Sequence, residues 1–249
     1  MKHTRFALVA LACLLLGATA LSQGLYFESK KSNGDIEKSY YSPGKFKSVD
    51  SDGKGMIILI DKEMIIHLDP ENKAYTQMTF ADIKKMTDAG HSMLSSMMQK
   101  RMESLTPEQR KMAEERMANA NQGSKSEVKY EVTSTGDTKT ISGYPCTKYV
   151  VKRNGEDFET IWATKALGNV EDVHKDMENF STKLASAMNM QHKPLSWFKE
   201  IPGFPIETDQ KSNTNTVTRI EKRAISDSEF QVPAGYTMEQ PKGLESLSK

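Results

Sequence analysis

Cysteine is nearly missing from this chain: among 249 residues only Cys13 and Cys146 occur. No Cys-x-x-Cys motif exists, so the redox and zinc sites built on that pair are excluded. If the segment bearing Cys13 is removed, Cys146 has no intramolecular disulfide partner and is expected to be a buried thiol rather than a reactive one. A basic surplus is missing too. Lys and Arg number 34 against 33 Asp and Glu, and setting aside Lys2 and Arg5 with the first 22 residues leaves 32 against 33. Polyanion binders carry an excess of positive charge, so this balance argues against nucleic acid as a partner. Enzyme signatures are lacking as well: there is no Gly-x-Ser-x-Gly, no His-Glu-x-x-His and no phosphate loop. His67, His91, His174 and His192 are dispersed, none at a metal-ligand spacing from another. Asp50-Ser51-Asp52-Gly53 opens like a calcium loop, but its Gly falls too early and no correctly spaced Glu follows. It reads as a turn. The expectation is a chain with no catalytic residue, no bound metal and no cofactor.

What is present begins with an export signal. Lys2, His3 and Arg5 make a basic start, residues 6–17 form an apolar run, and Ala18-Thr19-Ala20 and Ala20-Leu21-Ser22 supply small residues. That order is a secretory signal peptide with cleavage after Ala20 or Ser22. The alternatives are a membrane anchor, for which the last third of the uncharged stretch 6–24 is too polar, and lipid attachment at Cys13. The chain then divides into a signal peptide at 1–22, one domain at 23–236 and a disordered tail at 237–249. No integral membrane span remains in the mature part.

Turn residues punctuate the next segment into short strands at 25–29, 36–42, 46–49, 56–60, 64–68 and 74–78. The Ile-rich pair Met56-Ile57-Ile58-Leu59-Ile60 and Met64-Ile65-Ile66-His67-Leu68 is apolar on both faces and should be central. At Phe80 the period changes. Ile83, Met86, Met93, Leu94, Met97, Met98 and Met102 suit a helix weakened at Gly90. Thr106, Pro107 and Gln109 start a second helix with a cap, a first-turn Pro and a capping box. Strands return at 127–134 and 139–142, followed by a hairpin of 144–153 and 156–163 around the type I′ pair Asn154-Gly155. In it, Phe158, Thr160 and Trp162 should share one face and Ile161 and Ala163 the other. Val170, Val173, Met177, Phe180, Leu184 and Met188 then mark an amphipathic helix that Asn169 can cap. Strands at 205–210 and 216–224 complete the sheet. The expected fold is α+β: a curved antiparallel sheet, an incomplete barrel, with helices on its concave face and a Met-rich helical insertion at about 80–122.

Methionine is the unusual component: 15 in the chain, with Met78, Met86, Met93, Met97, Met98, Met102, Met112 and Met117 in one stretch. Pliable packing explains them, and so does an adaptable apolar surface for acyl chains or a protein partner. Soft-metal binding is a third reading: thioethers of Met93, Met97, Met98 and Met102 beside His91, or of Met188 and Met190 beside His192, could take Cu(I). Trp162 and Trp197 read either as core or as the wall of an apolar cavity.

A resemblance rests on Leu105-Thr106-Pro107-Glu108-Gln109-Arg110, Ile141-Ser142-Gly143-Tyr144-Pro145-Cys146-Thr147-Lys148-Tyr149, Ile161-Trp162-Ala163 and Val232-Pro233-Ala234-Gly235-Tyr236. With the export signal and the many strands, these segments resemble a bacterial exported family of uncharacterised function, similar in fold to the LolA/LolB-like lipoprotein carriers. The chain departs from the carriers in its inserted helices. Leu105, Thr106 and Gln109 also match the Leu-Thr-x-x-Gln motif of the Spy/CpxP periplasmic chaperones, which are all-helical where this chain is strand-rich. The resemblance implies a periplasmic or secreted, non-enzymatic protein sheltering an apolar or lipid-like ligand between sheet and helices. Met93, Met97, Trp162, Phe180, Leu184 and Trp197 are the candidate ligand contacts. A chaperone-like protein partner, or Cu(I), is the alternative.

Overall fold

A computed structural model describes residues 23–124, 128–168, 170–190, 192–211 and 213–241. The expected signal peptide, the Asn169 cap and the end of the expected tail lie outside these residues. Six strands open the chain as an antiparallel meander: β1 (Gln23–Lys31), β2 (Ile36–Ser42), β3 (Lys45–Asp50), β4 (Gly55–Leu59), β5 (Met64–Asp69) and β6 (Ala74–Thr79). The turns fall where Gly, Asn and Asp cluster. Gly44 adopts a φ of 76°, a left-handed conformation that an L side chain rarely takes. Ile57, Ile58, Ile66 and Leu68 are all buried, as a central strand pair requires.

Two helices follow, α1 (Phe80–Glu103) and α2 (Pro107–Ser124). Thr79 and Asp82 cap α1 reciprocally, and Thr106 and Gln109 do the same for α2. Gly90 does not interrupt α1; a Cβ there would meet nothing, so the cost of glycine is only its backbone entropy. The chain then returns to the sheet through β7 (Tyr130–Ile141), β8 (Tyr144–Arg153) and β9 (Glu156–Thr164). The two strands expected before the hairpin are one, β7, with an irregularity in register between Ser134 and Thr138. Asn154 and Gly155 turn the hairpin with φ of 55° and 85°, the pair of positive values a type I′ turn needs. Helix α3 (Glu171–Ala187) comes next, then β10 (Phe204–Gln210), β11 (Asn213–Ala224) and β12 (Thr237–Glu239).

All these strands join one curved, non-closed sheet of 12, in the order β12-β6-β5-β4-β3-β2-β1-β11-β10-β9-β8-β7. The joint is β1, whose second edge pairs with β11 from Gln23↔Ala224 to Lys31↔Asn215. The expected tail is corrected at its start. Thr237 donates its backbone N–H to Lys73 O at 2.8 Å, and β12 runs parallel to β6.

Side chains alternate across β1 and separate two cores. Tyr26 faces a cluster with Ile57, Leu59, Ile66 and Leu68, covered by Ile225 and Phe230 after β11. Leu25 faces the other side, packed with Tyr41, Phe204, Ile206 and Val217 beneath Val170. A third cluster joins Tyr149, Val151, Ile161 and Ala163 to Trp197 and Ile201. Each fully buried aliphatic side chain there contributes about 1.5–3 kcal/mol. Phe158 packs with this cluster and not with Trp162, because the register shifts between Val151 and Lys152 and breaks the alternation assumed for β9.

Candidate ligand cavity

The residues α3 buries are small: Ser181, Ala185 and Ala187. Its C-terminal half therefore lies close to its neighbours, while the N-terminal half holds Val173 and Met177 over a space. That space is an apolar cavity of about 240 Å³. Its floor is the sheet: Leu25 and Phe27 from β1, Tyr41 from β2 and Phe46 from β3. Phe204, Pro205, Ile206 and Thr208 of β10 and Asn215 and Val217 of β11 continue it, and Phe198 closes one side. Phe27 and Phe204 meet edge to face at 5.4 Å, an arrangement aromatic pairs favour.

Three side chains of α3 hold the roof. Asp176 of α3 accepts hydrogen bonds from Tyr41 Oη at 2.8 Å and from Gly44 N at 2.7 Å, fixing the helix to the β2–β3 turn. Burial, and then the Asp176 carboxylate, push the Tyr41 phenol well above its ordinary pKa, so it stays a donor. His174 sits 3.1 Å from Gly203 O and edge-on to the Phe198 ring at 4.9 Å. Burial lowers its pKa and favours the neutral imidazole. A Cβ on Gly203, whose φ is 100°, would overlap the Thr164 carbonyl, so only glycine fits this approach. Ser181 Oγ accepts from Leu195 N at 3.2 Å, tying down the segment that carries Phe198.

Among the described residues no Asp, Glu, Lys, Arg or His side chain lines the cavity; Thr208, Asn215 and Tyr41 bring its polar side chains. Asn215 Oδ1 is buried without a hydrogen-bond partner, as is Trp197 Nε1. Glu159 lies on the same sheet face, two residues from Ile161. Burial alone raises its pKa from 4.5 to about 7. Cys146 is buried and its Sγ donates to Tyr144 O at 3.3 Å, a packing role, with burial raising the thiol pKa. Among the described residues no three His, Cys, Asp or Glu side chains gather as metal ligands do. No helix among them is long and apolar enough to cross a membrane.

None of the six candidate contacts lines this cavity. Met93 and Met97 are 67% and 59% exposed on α1, away from the sheet. Phe180 turns to Phe80 at 5.9 Å, where α3 meets the start of α1. Leu184 is half-buried one turn further along α3. Trp162 lies under Lys139 Nζ, 4.2 Å from the ring centroid. Trp197 is buried in the third cluster, behind its neighbour Phe198, which does reach the cavity. The helical stripe read in the sequence is buried at Val170 and exposed at Met188. Its upstream members, Val173 and Met177, form the roof. Thr208 and Asn215 carried no signal, since a polar residue on a strand reads as a solvent-facing one.

Residues 79–236 match a domain of unknown function, DUF4412. The chain belongs to that family. The match begins at the α1 cap and runs to the segment covering the outer core, so it contains α1 to α3 and β7 to β11 but not β1 to β5. No protein of curated function matches the chain. Two crystal structures of PNGF-II, in space groups C2 and P21, each superpose with a TM-score of 0.40 at 12% identity. They cover 91% of this chain, which spans 32% and 33% of theirs. The crystal structure of MucB gives a TM-score of 0.29 at 12% identity, over 86% of this chain and 58% of MucB. At that level the likeness assigns no activity.

Proposed function

We propose that this member of the DUF4412 family is an exported, non-enzymatic binding protein that shelters an apolar or lipid-like ligand beneath α3. The observation that carries the reading is the cavity: an aromatic and aliphatic hollow between sheet and helix, with no charged side chain among the described residues of its wall. Native interiors leave few voids larger than a water molecule, so apolar space of this size calls for an occupant. Its volume lies below the roughly 300–1,000 Å³ of drug-sized pockets, which limits the occupant to a single slender chain or a small ring. The resemblance to the lipoprotein carriers, and the basic, apolar and small residues of 1–22, support export to the periplasm or beyond. The test is native mass spectrometry of the protein purified without detergent. An apolar compound at near-equimolar ratio is expected, and the mature chain is expected to begin at Leu21 or Gln23. A protein free of bound apolar material, which also shows no saturable binding heat in calorimetry with any chain length, would end this reading.

A second reading has its own observation. Beyond its contact with α3, α1 exposes Met93, Leu94, Met97 and Met98, and α2 exposes Met112 and Met117. Between the helices Met98, Met102, Leu105, Met112 and Met117 line a groove of about 440 Å³ with Arg101 and Arg116. Such a pliable surface suits a chaperone-like contact with a protein partner. Suppression of a client's aggregation, lost on replacing these methionines by Ser, would support it. Cu(I) titration would test the same thioethers as metal ligands.

A further inference from the structure

We propose that the ligand of this cavity is an uncharged amphiphile, a single alkyl chain ending in a hydroxyl or amide N–H that donates a hydrogen bond to Asn215. This inference rests on the cavity reading above. Asn215 and Thr208 stand directly opposite each other across the β10–β11 pair, so their side chains share one face and make a single polar end to an apolar hollow. At that end Asn215 Oδ1 is buried with no donor to satisfy it. Buried polar atoms nearly always find a partner, and an acceptor left open inside a ligand cavity marks where the ligand supplies the donor.

The surroundings choose the charge state. A carboxylate or phosphate would carry only acceptors to this place and would leave Oδ1 facing another lone pair. Among the described residues no cation lines the cavity to compensate its burial. The basic residue nearest in register is Lys31, opposite Asn215 across the β1–β11 pair, and Glu37 holds its ammonium at 2.7 Å. Lys139, beyond β10, is engaged by Glu207 at 2.8 Å. Glu207 also takes the Thr216 hydroxyl, at 3.2 Å. An ammonium head group fares no better, since its desolvation would be met by one amide oxygen and no carboxylate. A neutral donor head group fits both the open acceptor and the absent charges. The alkyl chain then lies along Phe27, Phe46, Val173, Met177 and Phe204.

The experiment compares three probes with the same ten-carbon chain on the full-length protein: 1-decanol, methyl decanoate and, at pH 8, decanoate. Binding is read by isothermal titration calorimetry and confirmed by native mass spectrometry. The expected result is saturable binding of 1-decanol, with methyl decanoate and decanoate each at least about tenfold weaker. Asn215→Leu should erase the preference for the alcohol over the ester while still binding both. Because the probe series on the unaltered protein stands alone, a variant that failed to fold would not spoil the test. Thr208→Val, which keeps Asn215, should keep the preference. Equal binding of 1-decanol and methyl decanoate, or tighter binding of decanoate, would overturn the Asn215 anchor and leave the cavity reading standing. Binding of none of the three would overturn both.

Discussion

Glu159 offers a measurement whose sign and size follow from its place in the sheet. It stands opposite Val151, which is fully buried, and on the face of Ile161, so its carboxylate loses hydration on folding. The folded pKa rises from 4.5 to about 7, and burial is the sole cause. The native state therefore holds this proton more tightly than the unfolded chain does. Its contribution to stability is fully present below pH 4.5, is lost as pH rises to about 7, and is constant above that. At 1.36 kcal/mol per pKa unit the full shift corresponds to roughly 3 kcal/mol. The side chain keeps part of its solvent contact, so about 1–2 kcal/mol is the expectation after screening. Glu159→Gln removes the ionisation and keeps the shape. Urea unfolding at pH 8 should show the variant more stable by that amount at unchanged m-value, and the difference should vanish near pH 4.5. Other groups titrate in this range, but they are common to both proteins and cancel in the difference. A variant advantage independent of pH, or none at pH 8, would refute the assignment of a desolvated carboxyl here.

Three further outcomes are expected. Tyr41→Phe removes one of the two hydrogen-bond donors to Asp176, leaving Gly44 N, and should cost about 1.5–3 kcal/mol in urea unfolding, the range for a hydrogen bond to a charged group; hydrogen exchange in the first half of α3 should speed up. Val173→Trp should fill the cavity from its roof and abolish probe binding while changing stability by less than about 1.5 kcal/mol, as half-buried positions tolerate enlargement better than cores. Thr237→Pro removes the N–H that donates to Lys73 O, which should free the outer edge of β6 and appear as concentration-dependent association in light scattering.

Local chemistry made much of this fold legible. Asn154-Gly155, Thr106 with Gln109, and the Ile-rich pair each state a turn, a helix start or a buried strand within a few residues. The pairing of β1 with β11 has no such local mark, because any half-buried strand of matching length satisfies the same pattern. The strands expected at 127–134 and 139–142 are joined for a related reason: the residues between Ser134 and Thr138 form an irregularity inside one strand. The candidate contacts were chosen for size and softness, and the large residues instead fill space. Phe180 answers Phe80, and Trp197 completes a core. A cavity is made where side chains stop short of one another, which depends on how closely Ser181 and Ala185 let α3 approach. Composition does not record that distance.

The seam between β1 and β11 governs when the molecule can become itself. Residues 25–30 pair on one side with residues 36–41 just downstream, but residues 23–31 find their partners on the other side only after residues 215–224 have been made. Chain growth runs from the N-terminus, so the meander forms early and waits with an open edge through the synthesis of three helices and four more strands. Long-range antiparallel closures of this kind slow folding towards milliseconds or seconds, since the entropy of the intervening loop must be surrendered before the pairing repays it. Until that moment the floor beneath α3 lacks the part that β10 and β11 supply. On the cavity reading, a ligand would be held only by the finished chain, and a nascent or clipped one lacking β11 would present an open edge instead of a pocket.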